Sequence, residues 1–213
     1  MTDALGYRRT VVIDSAVVTS NVAAIRAANG DATLGMLESR RANERFLADD
    51  ATANFGVRMV QSVNGSRIEV TTLDLLGGHP SAACAISLQS HVYGLRDVAA
   101  GDGVSYGATY IAPTARVVAL APIGFADGLD RKLSGSLRVR VNGFDVPVVG
   151  RIAMDSISID VTSVPDVAIG AAVVVYGDAS RGGYGIRDAA NQLGITPGEI
   201  IARLSERAEV VWR

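Results

Sequence analysis

Residues 136–150 read S-L-R-V-R-V-N-G-F-D-V-P-V-V-G. Two alternating, β-branched runs flank the dipeptide Asn142-Gly143. Asparagine and glycine tolerate the positive φ angles of a two-residue turn, so the stretch is predicted to be a β-hairpin. The same texture continues outward from it. Upstream lie A-I-S-L-Q-S-H-V-Y-G-L from Ala85, V-S-Y-G-A-T-Y-I from Val104 and R-V-V-A-L-A-P-I from Arg116. Downstream lie S-I-S-I-D-V from Ser156 and A-A-V-V-V-Y-G from Ala171. Gly, Asp and Asn turns separate these runs, and strands at such spacing predict an all-β sheet or barrel. Near the end, Asp188 to Leu193 reads as a short helix stopped by Gly194. Thr196-Pro197-Gly198-Glu199 is a capping box with proline at the first helical position, which predicts a helix to about Leu204. A-E-V-V-W from Ala208 reads as a last strand.

Residues 1–80 have a different texture. R-T-V-V-I at 9–13 reads as a strand, and a helix follows with Val17, Val18, Val22 and Ile25 on one face. Asp14 or Ser15 is its expected cap and Gly30 its stop. Residues 33–37 suggest a second strand, and 67–76 another, ended by the turn Gly77-Gly78-His79-Pro80. Residues 38–65 show no clear period. The expected fold class is α+β. A mainly-β domain covers 81–213, and a small truncated α/β part covers 1–80, its opening strand available to join the β sheet.

The chain has 213 residues, 48% hydrophobic and 20% charged, the composition of a globular protein. A formal net charge of -2 supplies no basic field, so neither nucleic acid nor an anionic membrane is an expected partner. The single cysteine, Cys84, excludes an internal disulfide and a cysteine zinc site, and reads as a small core residue. His79 and His91 have no acidic or cysteine partner at ligand spacing, so no metal centre is expected. The opening M-T-D-A-L-G-Y-R-R-T lacks the apolar run of a signal peptide, and no stretch approaches the ~20 apolar residues of a membrane span. A soluble, cytoplasmic protein is the expectation.

Lys132 is the sole lysine. Arginine stays protonated and cannot form a Schiff base, so any lysine chemistry must pass through Lys132. It stands in the polar run L-D-R-K-L-S-G, beside Arg131, and reads as solvated. Asp127 and Gly128 read as a turn. G-D-A-S-R-G-G-Y-G at 177–185 lacks the lysine of a phosphate loop and reads as a connection between strand and helix. R-R-A-N-E-R at 40–45 reads as a solvated face.

Four motifs occur in one order: V-S-Y-G-A-T-Y at 104–110, P-I-G-F-A-D-G at 122–128, V-G-R-I-A-M-D at 149–155 and Y-G-D at 176–178. In order and spacing they resemble the C-terminal β domain of alanine racemase, nearly end to end from Pro80. V-V-I-D-S-A-V-V-T-S-N-V-A-A-I-R-A-A at 11–28 resembles that family's opening strand and helix. D-L-L-G-G-H-P at 74–80 resembles the segment leaving its last barrel strand. The family places most of a (β/α)₈ barrel between those two pieces. Here about 40 residues stand there, enough for one or two βα units.

The resemblance implies pyridoxal phosphate, held in the family by a lysine whose position falls near Ser39, inside G-M-L-E-S-R-R-A-N. The family's arginine facing the pyridine nitrogen falls near Val70, and its phosphate-contacting tyrosine on Gly198. The second tyrosine of its G-Y-A-D-G motif is Phe125, and Ala153 precedes the Met-Asp pair. The resemblance makes Tyr106 one of two acid/base groups, reaching across a dimer interface into a partner's barrel. Racemisation needs two such groups, on opposite faces of Cα. It also makes Met154 a contact of the substrate carboxylate through its backbone. The alternative for Tyr106 is a strand tyrosine packed near a sheet edge.

Three functions follow. One is a racemase-like protein without pyridoxal phosphate catalysis of its own, acting through assembly or binding by the β domain, as a homodimer or with a full-length racemase. The second is an amino-acid racemase using pyridoxal phosphate, active only with a partner chain or a relocated lysine. The third is a small-ligand or peptide-binding module. No cofactor is expected in this chain.

Overall fold

The computed structural model describes residues 9–28, 35–36, 69–70, 73–179, 184–204 and 207–213. The hairpin forms as the sequence requires. Strand β9 (Arg138–Val141) pairs antiparallel with β10 (Phe144–Val149), and Phe144 faces Val141 across the two-residue turn. Asn142 and Gly143 take φ 49° and 85°, the left-handed values such a turn demands. On β9 the valines 139 and 141 are buried while Arg138 is exposed, the period-two pattern of a half-buried strand.

Strand β10 breaks that pattern for a structural reason. Phe144 to Pro147 pair with β9, whereas Val148 and Val149 pair with β11 (Ile157–Asp160). Val148 joins the main core, and Val149 joins a smaller one with Val98, Val104, Ala112 and Val118. One strand therefore serves two hydrophobic clusters. Beyond β11 come β8 (Arg116–Ala121) and β5 (Gly94–Val98), both antiparallel to their neighbours.

On the other side of β9 lie β12 (Ala172–Gly177), β4 (Ile86–His91), β1 (Thr10–Ile13) and β14 (Glu209–Trp212), in that order. The opening strand β1 is thus an interior strand of the sheet. It runs antiparallel to β4 and parallel to β14. Its Val11 and Ile13 are 2% and 0% exposed. Burial of each such side chain contributes roughly 1.5–3 kcal/mol. A short strand β13 (Tyr184–Gly185) pairs with β12. Strands β2 (Gly35–Met36) and β3 (Glu69–Val70) pair with each other in parallel. Strands β6 (Gly103–Val104) and β7 (Tyr110–Ile111) pair antiparallel.

Helix α1 (Ser15–Ala28) starts where expected: the Asp14 carboxylate accepts the Val17 N–H at 3.1 Å, which makes Asp14 the cap. Val18 and Ile25 are fully buried, and Gly30 lies outside the described residues. Residues 67–76 differ from the expected strand. Among the described residues of this run, Glu69–Val70 is strand, and Asp74–Gly78 forms a helical turn that ends as Gly77 takes φ 120°. Consecutive Leu75 and Leu76 are both buried. A strand would point them to opposite faces, whereas a helical turn sets both into the core.

Asn21 of α1 holds this turn in place. Its amide donates to the Leu75 and Ala83 carbonyls at 2.8 Å each, and its oxygen accepts the Ala83 N–H at 2.7 Å. Helix α2 (Ile186–Leu193) binds the residues that follow, as Arg187 donates to the His79 and Ala82 carbonyls at 2.7 Å. Helix α3 (Pro197–Ala202) carries the expected capping box, Thr196 with Glu199. The proposed runs 38–65 and 40–45, with Ser39, lie outside the described residues. Among those described, no helix is long and apolar enough to cross a membrane.

Candidate functional site

The loop between β6 and β7 carries Tyr106. Its backbone is under local strain: Ser105, Gly107 and Ala108 take φ 65°, 77° and 44°. Left-handed φ at a non-glycine residue costs of order 1 kcal/mol and persists only when neighbours enforce it. The neighbours are visible. Ser105 Oγ donates to the Arg151 carbonyl at 2.6 Å, and the Ala108 N–H returns to the Ser105 carbonyl at 3.1 Å. Gly150, itself at φ 73°, lies so close that a Cβ there would run into Ser105. The small core of Val98, Val104, Ala112, Val118 and Val149 supports the loop from below. Tyr106 is left 78% exposed at the tip. It sits in a loop and not within a strand.

The same 150–155 segment presents Met154, 56% exposed. Its peptide is clamped by the turn Phe125–Asp127, which fills the P-I-G-F-A-D-G motif. The Phe125 N–H donates to the Ala153 carbonyl and the Ala126 N–H to the Met154 carbonyl, each at 3.0 Å. Gly124 must be glycine, because a Cβ there would strike both carbonyls. The Arg131 guanidinium lies 5.2 Å from the Phe125 ring centroid, a cation–π contact.

Asp127 is the residue that sequence reasoning took for an ordinary turn residue. It does occupy a turn, but its side chain is 0% exposed. One oxygen accepts the Gly124 N–H at 2.8 Å. The other meets Arg9 Nε at 2.9 Å and Arg207 Nη1 at 3.7 Å. Arg207 continues to Asp155, Nη2 to Oδ1, at 2.7 Å. A chain of four charges thus links the residue before β1, the residue two before β14, the 125–127 turn and the Met154 loop. Burial pushes the Asp127 carboxyl above the usual carboxylate range, against the pull of the Gly124 N–H and of Arg9 and Arg207. Only its place in a recurring motif marked Asp127 in the sequence. Nothing marked Arg9 or Arg207 as its partners, because they lie 118 and 80 positions from it along the chain.

The remaining candidates are dispersed. Lys132 is exposed in the turn Arg131–Leu133, its own N–H held by Asp130 Oδ1 at 2.9 Å. Gly198 packs against Leu73, its Cβ position 3.7 Å from Leu73 Cβ. His79 Nδ1 accepts the Ser81 N–H at 3.1 Å. Among the described residues no three His, Cys, Asp or Glu side chains gather to hold a metal. Cys84 is half-buried beside the core, its thiol donating to the Ile86 carbonyl at 3.2 Å. Burial pushes that thiol pKa up, which makes it a poor nucleophile.

A family model described as "Alanine racemase, C-terminal domain" matches residues 85–212, more than half of the chain. The chain belongs to the alanine racemase family. Among its relatives, alanine racemase 1 of Caldanaerobacter subterraneus is 34% identical over 146 residues, 65% of this chain and 38% of that protein. Alanine racemase of Mycobacterium tuberculosis is 41% identical over 131 residues, 61% of this chain and 33% of that one. The chain therefore spans about a third to two fifths of the relatives it matches. Among solved structures, alanine racemase from Clostridium difficile superposes with a TM-score of 0.62 at 28% identity, covering 69% of this chain and 40% of that one. Alanine racemase from a D-cycloserine-producing Streptomyces lavendulae gives a TM-score of 0.63 at 25% identity, covering 96% of this chain and 65% of that one. The mainly-β architecture is that of the racemase C-terminal domain.

Proposed function

We propose that this chain works as a racemase-type β domain that assembles with a second copy or with a full-length racemase, and that it has no pyridoxal phosphate catalysis of its own. The observation that carries the reading is Tyr106: an aromatic side chain held 78% exposed on a strained, braced loop. Strain and exposure together have a physical use when a partner covers the residue. Met154, on the segment that braces this loop, and Ile111 on β7, 54% exposed, are further exposed apolar side chains of the domain.

The residues present do not fit pyridoxal phosphate within one chain. The only lysine is Lys132, exposed in a turn, whereas a Schiff-base lysine needs a buried setting or a flanking cation in a pocket. Where the family likeness puts a phosphate-contacting tyrosine stands Gly198, packed on the apolar Leu73. A single chain therefore offers Tyr106 without the opposing lysine that the family likeness calls for, and two-sided proton transfer at Cα lacks that group. Supplied to a partner's barrel, the same phenol would serve as one acid/base group, and Tyr106 thus also supports activity in a mixed assembly.

Sedimentation of the chain alone and mixed with a full-length racemase tests this. A complex is expected, and Tyr106→Asp or Met154→Asp is expected to weaken it at least about tenfold while the melting temperature holds. Only monomer at high concentration, with and without the racemase, overturns the proposal. If the complex forms, Tyr106→Phe separates assembly from chemistry: it preserves association and abolishes any activity gained on mixing.

A further inference from the structure

Resting on that reading, we infer that Asp127 is a positioning residue for the Met154 loop, and that Arg9 makes the first strand part of the same support. The Asp127 carboxylate grips the loop by two routes. Through Oδ2 it holds the Gly124 N–H at 2.8 Å and so shapes the turn whose next two N–H groups bind the Ala153 and Met154 carbonyls. Through Oδ1 it faces Arg207, whose other nitrogen holds Asp155, the residue after Met154, at 2.7 Å. The backbone of Met154 is thus fixed from the turn, and its neighbour's side chain from the arginine. Arg9 closes the arrangement from the strand side, its guanidinium 2.9 Å from Asp127 and its side chain 6% exposed.

Oδ1 forms ion pairs with the buried Arg9 at 2.9 Å and the half-exposed Arg207 at 3.7 Å, without hydrogen-bond geometry, while Oδ2 accepts the Gly124 N–H, so both oxygens of the carboxylate are engaged. An amide has one acceptor oxygen. It can hold Gly124 or face Arg9, and cannot do both. This separates positioning from bulk packing, since Asp127→Asn keeps the shape and removes one route. Arg9 enters from outside the racemase-type motifs, so the support of Met154 depends on a residue that those motifs do not contain.

Amide hydrogen exchange followed by NMR tests the inference. In Asp127→Asn the Phe125 and Ala126 amides are expected to exchange roughly tenfold faster or more relative to amides of β8 and β11, and the Met154 methyl resonance to shift. A core control, Ile159→Val, is expected to lower overall protection without that local excess or the shift. Should Asp127→Asn fail to fold, Arg207→Gln removes only the exposed arm. It is expected to shift the Met154 methyl and speed Ala126 exchange by a smaller factor. Unchanged local protection and an unmoved Met154 resonance in a folded variant overturn the inference. Association measured on the same samples keeps the two readings apart. Faster local exchange with no association by any form, wild type included, supports the positioning role and overturns assembly alone.

Discussion

At the scale of single residues, Asp127 shows how much chemistry one carboxylate can carry out of sight. Its charge sits against Arg9 and Arg207 at zero exposure, where desolvation and attraction oppose one another. Burial wins in direction, so its folded pKa stands above its unfolded value. The contribution is then full below the unfolded value, about 3.9, and is lost as pH rises through the folded value. The stability gap between wild type and Asp127→Asn should therefore be widest near pH 3.5 and narrow toward neutrality, read from urea midpoints across that range. A gap that widens with rising pH would mean that the two arginines outweigh burial. Residues such as Tyr106 and Met154 were legible as motif members. Their exposure was not, because for Tyr106 it depends on Gly150 and Arg151 reaching Ser105 from another part of the chain.

At the scale of elements, local signals decided most boundaries. The Asn142-Gly143 turn, the Asp14 cap and the Thr196–Glu199 capping box each act within a few residues, so sequence alone displays them. Residues 74–78 misled for the opposite reason: two adjacent leucines fit a strand or a helical turn equally, and α1 decides between them through Asn21. That side chain satisfies two carbonyls and one N–H of the turn segment, all remote in sequence. Asn21→Ala would leave the Leu75 carbonyl without this partner in a buried place, at about 1–3 kcal/mol, whereas the Ala83 groups lie at a part-buried position that water can reach. A loss of about 1–3 kcal/mol in urea unfolding is expected, and a change within about 0.5 kcal/mol would show that water replaces the amide.

At the scale of the whole molecule, the opening strand belongs to the β sheet although about seventy residues separate it from its neighbour β4. It lies between β4 and β14, so its removal exposes two strand edges and the core beneath Val11 and Ile13. Domain stability is typically 5–15 kcal/mol, and these losses consume much of it. A chain beginning at residue 73, which keeps the buried Leu75 and Leu76, is expected to show collapsed amide dispersion and no cooperative melt, and a peptide of residues 9–28 added in trans to restore both. A fragment that melts like the intact protein would show that β1 is an accessory.

The sequence by itself determined the strand texture from residue 81 onward, the hairpin, the caps and the family motifs. These rest on side-chain period, turn chemistry and short-range hydrogen bonds, which are written in adjacent residues. Only the tertiary structure decided the place of β1, the division of β10 between two cores, the helical turn at 74–78 and the Arg9–Asp127–Arg207–Asp155 chain. Each depends on groups brought together from distant positions, and burial then sets what their charges and apolar atoms are worth.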